Sequence, residues 1–172
     1  MARGTKKRIV STDPAVIIHD ANELRELVEC FQAEGKTVVM ANGAFDLLHV
    51  GHVRCLRDAK SRGDYLIVAV NSDASVKKYK NPKLPIQGID DRMEILASLR
   101  WVDYIVSFDE VTCDAILETV KPDIVAKGTD YTEETVPERE TIEGFGGKIV
   151  IVGDAKDHAT SKLIQRIRRL KM

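Results

Sequence analysis

The chain is poor in the features that announce several protein classes. Its three cysteines, Cys30, Cys55 and Cys113, stand far apart with no CxxC pair. That excludes the pattern of a disulfide framework or a zinc ribbon, leaves each thiol as a small apolar packing residue, and points to the cytoplasm. No long hydrophobic run is present: the stretches 66–70 and 149–152 have strand length and fall far short of a bilayer span. Charge of one sign is not in excess. The formal net charge is −1, so no overall field draws the protein to nucleic acid or to an anionic membrane. The basic start, Met1 to Arg8, is followed by no apolar stretch, which reads as a solvated tail rather than a secretory signal. There is no internal repeat and no low-complexity segment. The single tryptophan, Trp101, is read as core.

What is present is an alternation of helical and strand patterns. The 172 residues are 44% hydrophobic and 31% charged, enough for one domain with a sizeable core. Residues 1–19 are expected as a tail and 20–172 as a single domain, with a helix over 20–35 and a core over 36–172. Asp20 and Glu23 have capping-box spacing ahead of Leu24, Leu27, Val28 and Phe31, and Gly35 ends that helix. Strands are expected at 37–41, 65–70, 103–107, 123–126 and 148–152. Helices are expected at 51–61, 74–79, from a cap at Asp90, at 113–120, near 137–143, and from Thr160 onward. This order gives an α/β fold: a doubly wound, Rossmann-like, five-stranded parallel sheet with helices on both faces. Ligands of such sheets bind beyond the carboxyl ends of the strands.

The loop after the first of these strands carries the strongest signal. It reads Asn42-Gly43-Ala44-Phe45-Asp46-Leu47-Leu48-His49-Val50-Gly51-His52. Gly43 and Ala44 are small enough for a phosphate to approach backbone N–H groups. Gly51 admits the turn into a helix whose N-terminus favours an anion. His49 and His52, three residues apart, share one side of a helical turn and can donate to phosphate oxygens. A His-x-x-His pair also suits a metal ion, but no third ligand is evident and no protein metal site is expected. Two buried structural histidines are the remaining reading.

His49-Val50-Gly51-His52 resembles the HxGH signature of the nucleotidyltransferase superfamily. The longer string 41–52 with 63–73 resembles its cytidylyltransferase-like branch, and within it the heptose 1-phosphate adenylyltransferases. Lys127-Gly128-Thr129-Asp130-Tyr131 resembles the family's KGxDY segment, Arg92-Met93 its following helix start, and His158 to Ile164 its Ser-Thr-Thr helix start. The resemblance runs from about residue 36 to the C-terminus. It implies attack by a substrate phosphate on the α-phosphorus of ATP, assisted by alignment and charge neutralisation, with Mg²⁺ accompanying the triphosphate. It implies catalytic roles for His49 and His52. Nucleotide contacts are expected from Asn42, Gly43, Ala44, Phe45, Gly51, Asn71, Arg92, Lys127, Gly128, Asp130, Thr160 and Ser161. Asp46 and Lys80 are expected to meet the second substrate, Asp46 alternatively orienting the loop. Asp130, Asn71 and Asp73 have turn or capping roles as alternatives. The implied partners are small-molecule substrates, with neither nucleic acid nor membrane, and a homodimer.

The sequence also departs from the family pattern. Ala159 replaces a hydroxyl residue, Asp157 stands where glycine is common, and Leu84 takes a position often held by arginine in heptose enzymes. The rivals are a cytidylyltransferase using glycerol phosphate or a related alcohol phosphate, a flavin-forming adenylyltransferase, and, because of Ala159 and Asp157, a nucleotide-binding regulator without turnover. The basic cluster Arg166, Arg168, Arg169 and Lys171 suits a helix C-terminus without any ligand.

Overall fold

The computed structural model describes residues 14–154 and 158–170. Most of the expected tail, Asp157 and Lys171 therefore lie outside the described residues. The strands are β1 (Val16–Ile17), β2 (Val38–Gly43), β3 (Tyr65–Asn71), β4 (Tyr104–Phe108), β5 (Ile124–Gly128) and β6 (Lys148–Val152). The helices are α1 (Ala21–Ala33), α2 (Val50–Ser61), α3 (Asp73–Tyr79), α4 (Ile89–Ala97), α5 (Asp114–Val120), α6 (Arg139–Gly144) and α7 (Thr160–Arg169). A single 3-10 turn at Glu133–Thr135 separates β5 from α6.

The six strands form one sheet in the order β1-β4-β3-β2-β5-β6, every pair parallel. From β2 the chain winds outward through β3 to β4, then returns to the other side for β5 and β6. The topological switch point lies between β2 and β5, and it opens a crevice beyond their carboxyl ends. Side chains alternate across β2 and β3 as strand geometry requires. Val38, Met40, Ile67 and Ala69 join Leu24, Val28, Leu117 and Ile142 on one face. Val39, Ala41, Leu66, Val68 and Val70 join Leu56, Ala59, Met93 and Leu96 on the other. Helices cover both faces, which explains why the strand sequences are apolar without alternation.

The structure departs from the sequence expectation in three places. The sheet has six strands, because Val16 and Ile17 pair with Tyr104 and Ile105 in a stretch expected to be tail. Two residues are too few to show a period. Gly88, not Asp90, caps α4; Asp90 and Asp91 sit in its first turn, where the helix dipole favours them. Asp20 caps α1 by accepting from the backbone N–H of Asn22 at 2.8 Å, without help from Glu23. Gly35, at φ +71°, follows α1 as expected.

Candidate active site

The site begins where β2 runs into its loop. Phe45 and Leu47 both take left-handed backbone conformations, at φ 48° and 47°. Such conformations strain residues with a Cβ and persist only where surrounding contacts fix them. Here those contacts are numerous. The Asp46 carboxylate accepts from the N–H groups of Ile86 (2.8 Å) and Gln87 (3.0 Å). The Gln87 side chain accepts in return from Leu47 N–H at 3.0 Å. Arg92 donates to the carbonyls of Ala44 (2.5 Å), Asn71 (2.9 Å) and Gln87 (3.1 Å), and pairs with Asp73 at 2.7 Å. Thr160 Oγ1 donates to the Asp46 carbonyl at 2.7 Å, tying the start of α7 to the same loop.

The loop delivers His49 as the N-cap of α2. The His49 and His52 rings stack with centroids 3.8 Å apart and planes 19° from parallel. His52 Nδ1 accepts a long bond, 3.4 Å, from His49 N–H. The His52 proton is thereby assigned to Nε2, which becomes the donor. His49 Nδ1 is shielded from solvent without a hydrogen-bond partner among the described residues. A Cβ on Gly51 would stand 3.0 Å from two atoms of the His49 ring and 3.2 Å from His158 Cβ, so only glycine lets both residues close over this backbone. Burial, then the neighbouring His49 and Lys80, lowers His52 to about 4, against the pull of Asp46. Burial and His158 lower His49. Both rings are neutral donors near pH 7.

Across the crevice, β5 ends in Lys127 and Gly128. Lys127 is buried; its ammonium donates to Glu138 at 2.7 Å and to the Asn42 side chain at 2.9 Å. Burial works to raise Glu138, but Lys127 and a hydrogen bond from Cys113 outweigh it and hold the carboxyl below its usual range. Cys113 itself is pushed well up by burial and is not a nucleophile at neutral pH. Beyond β5, Thr129 donates to the Asp154 carbonyl at 2.9 Å, and Asp154 pairs with Arg54 of α2 at 2.8 Å. The N-cap of α7 is Ala159, which has no side-chain oxygen to offer. The first N–H groups of α7 therefore lack a side-chain cap and remain suited to an anion.

These elements enclose a cavity of about 460 Å³. Of the residues expected from sequence, Asp46, His49, Gly51, His52, Lys80, Gly128, Asp130, Thr160 and Ser161 line it. Asn42, Gly43, Ala44, Phe45, Asn71, Arg92 and Lys127 do not line it. Three of these have partners within the fold. Arg92 is 1% exposed, its guanidinium bound to three carbonyls and a carboxylate. Asn71 is buried and donates to Ser75 Oγ at 3.0 Å. Lys127 neutralises Glu138. The Asp46 carboxylate, on the cavity wall, is engaged by the N–H groups of Ile86 and Gln87. Sequence reasoning missed Gln87 and Glu138, for which no local signal exists, and His158, which joins the cavity wall. Among the described residues, no group of three or more His, Cys, Asp or Glu side chains is arranged to hold a metal ion. No described helix is long and apolar enough to cross a membrane.

A parallel sheet with its crevice at the switch point, an HxGH loop entering one helix and a second helix start facing it define an α/β nucleotidyltransferase. The cytidylyltransferase-like family model matches residues 40–169, and the chain belongs to that family. It is 44% identical over 144 residues to the bifunctional protein HldE of Syntrophotalea carbinolica, covering 84% of this chain and 29% of that protein. It is 42% identical over 158 residues to the bifunctional protein HldE of Geobacter metallireducens, covering 92% and 32%. The chain thus spans about a third of the length of these curated relatives. The crystal structure of the lipopolysaccharide core biosynthesis protein from Thermoplasma volcanium aligns at a TM-score of 0.61 and 33% identity. That alignment covers 71% of this chain and all of the other.

Proposed function

We propose that this nucleotidyltransferase moves AMP from ATP to a sugar 1-phosphate, a heptose 1-phosphate, forming an ADP-sugar and pyrophosphate. The observation that carries the reading is the convergence of His49, His52 and the start of α7 on one cavity. The likeness to the Thermoplasma lipopolysaccharide core biosynthesis protein and the resemblance to heptose enzymes support this choice of acceptor.

In this mechanism an oxygen of the acceptor phosphate bonds to the α-phosphorus while the bond from that phosphorus to the bridging oxygen breaks. No side chain need act as nucleophile. His52, through Nε2–H, and His49 donate to phosphate oxygens as charge builds in the transition state. The N–H groups opening α7, with Ser161 beside them, take the leaving β,γ-phosphates. The Thr160 hydroxyl holds α7 against the loop. Lys80 lines the cavity close enough to His52 to lower its pKa, and it is the cation offered to the acceptor phosphate. Mg²⁺ enters with ATP as part of the substrate. The donor set suits a metal held by phosphate oxygens and water, since the Asp46 carboxylate is already engaged by two N–H groups.

The test is pyrophosphate release with ATP or CTP, each offered with heptose 1-phosphate, another sugar 1-phosphate and glycerol 3-phosphate. ATP with heptose 1-phosphate is expected to be fastest. CTP outpacing ATP with every acceptor would overturn the adenylyl assignment, and binding without turnover for any pair would make the protein a nucleotide-binding regulator.

A further inference from the structure

His158 belongs to none of the roles given so far. Its ring stands 6.4 Å from that of His49, planes 29° apart, so His52, His49 and His158 form a row of imidazoles along one wall of the cavity. The row is built on a shared support: the bare backbone of Gly51 lies beneath both His49 and His158. His158 immediately precedes Ala159, the N-cap of α7. It therefore stands at the mouth of the helix start where a side-chain cap is missing.

The charge around the cavity makes a third donor there consequential. The lining holds Asp46, Asp130 and Asp154 against Arg54 and Lys80, and Arg54 is already paired with Asp154. A departing pyrophosphate carries several negative charges, and among the described lining residues the cations are Arg54 and Lys80. Imidazole N–H groups and the α7 backbone are further donors on this side.

Resting on the nucleotidyl-transfer reading, we infer that His158 is a phosphate-binding residue that extends the His49–His52 pair toward the α7 N-terminus and holds the pyrophosphate half of the nucleotide. Its contact is with the β,γ-phosphates and not with the acceptor. The departure at Ala159 is then offset in part by a donor one residue earlier.

The test is calorimetric titration of inorganic pyrophosphate with Mg²⁺ into wild type, His158→Phe and His158→Gln, with steady-state kinetics alongside. Phenylalanine keeps a ring beside His49 but has no donor; glutamine keeps a donor. His158 is exposed, so unchanged thermal midpoints are expected for both variants. The expected result is about a tenfold weaker pyrophosphate affinity and a matching rise in the KM for ATP for His158→Phe, the size of one charge-assisted hydrogen bond. His158→Gln should recover most of both, and the KM for the acceptor should not move. Equal affinity of wild type and His158→Phe, no pyrophosphate binding by wild type, or a rise confined to the acceptor KM would each overturn the inference. Failure of wild type to turn over any substrate pair would instead count against the proposed function, and the titration, which needs no turnover, would still decide the role of His158.

Discussion

The cavity wall and the layer behind it use polar residues in opposite ways. On the wall, His49, His52 and the start of α7 present donors to an open space. Behind it, the Arg92 guanidinium and the Lys127 ammonium, groups that elsewhere bind phosphate, bond instead to carbonyl, carboxylate and amide oxygens of the protein itself. The division follows from energetics. A buried cation must be paired within the fold, whereas a donor meant for a ligand must stay unspent. The rear layer holds Phe45 and Leu47 in their strained conformations, and the front layer depends on that loop to aim His49 and His52.

The largest effect should come from the rear. Lys127→Met leaves Glu138 as an unpaired buried carboxylate and is expected to cost about 3–5 kcal/mol of stability by urea unfolding. Adding Glu138→Leu should restore most of it. If Lys127→Met instead folds with full stability and loses only nucleotide affinity, the two layers are not distinct and Lys127 belongs to the wall.

On the wall the expected effect is on rate. His52→Ala should lower turnover at least roughly a hundredfold, as removal of a transition-state donor does, with little change in the unfolding midpoint relative to Lys127→Met. A variant that loses stability and rate together would place His52 among the supports.

The smallest effect concerns pH. His52 is held at about 4, below its ordinary 6.5. Between those values the unfolded chain takes up a proton that the folded ring refuses, so stability falls as pH drops from about 6.5 toward about 4. Above about 6.5 this residue contributes no slope. His52→Gln should flatten the wild-type dependence in that window. An unchanged slope would mean that the ring is not desolvated.

Much of this was legible in the sequence, for identifiable reasons. The runs forming β2 and β3 are apolar because both faces of the sheet are covered, and His49-Val50-Gly51-His52 closes the loop that leaves the expected strand end. Thr160 opens the last helix as read. The division into wall and support was not legible. Arg92 and Lys127 lie in segments that resemble nucleotide-binding ones, but the partners that claim them, Asp73 and Glu138, are 19 and 11 residues away and meet them only through the fold. Likewise His158 stands close to Thr160 in the sequence, but its approach to His49 exists only once the fold brings it over Gly51. Strand β1 was lost to its length: two residues carry no pattern.

The central claim is that both rings of the HxGH pair and the start of α7 meet one triphosphate. It is tested most directly by NMR of ¹⁵N-labelled imidazoles and backbone amides during titration with a non-hydrolysable ATP analogue and Mg²⁺. The account predicts that the Nε2 signals of His49 and His52 and the amides of Thr160 and Ser161 shift together along one binding curve. Saturation of the nucleotide with the imidazole signals unmoved, or with the α7 amides following a separate curve, would contradict it.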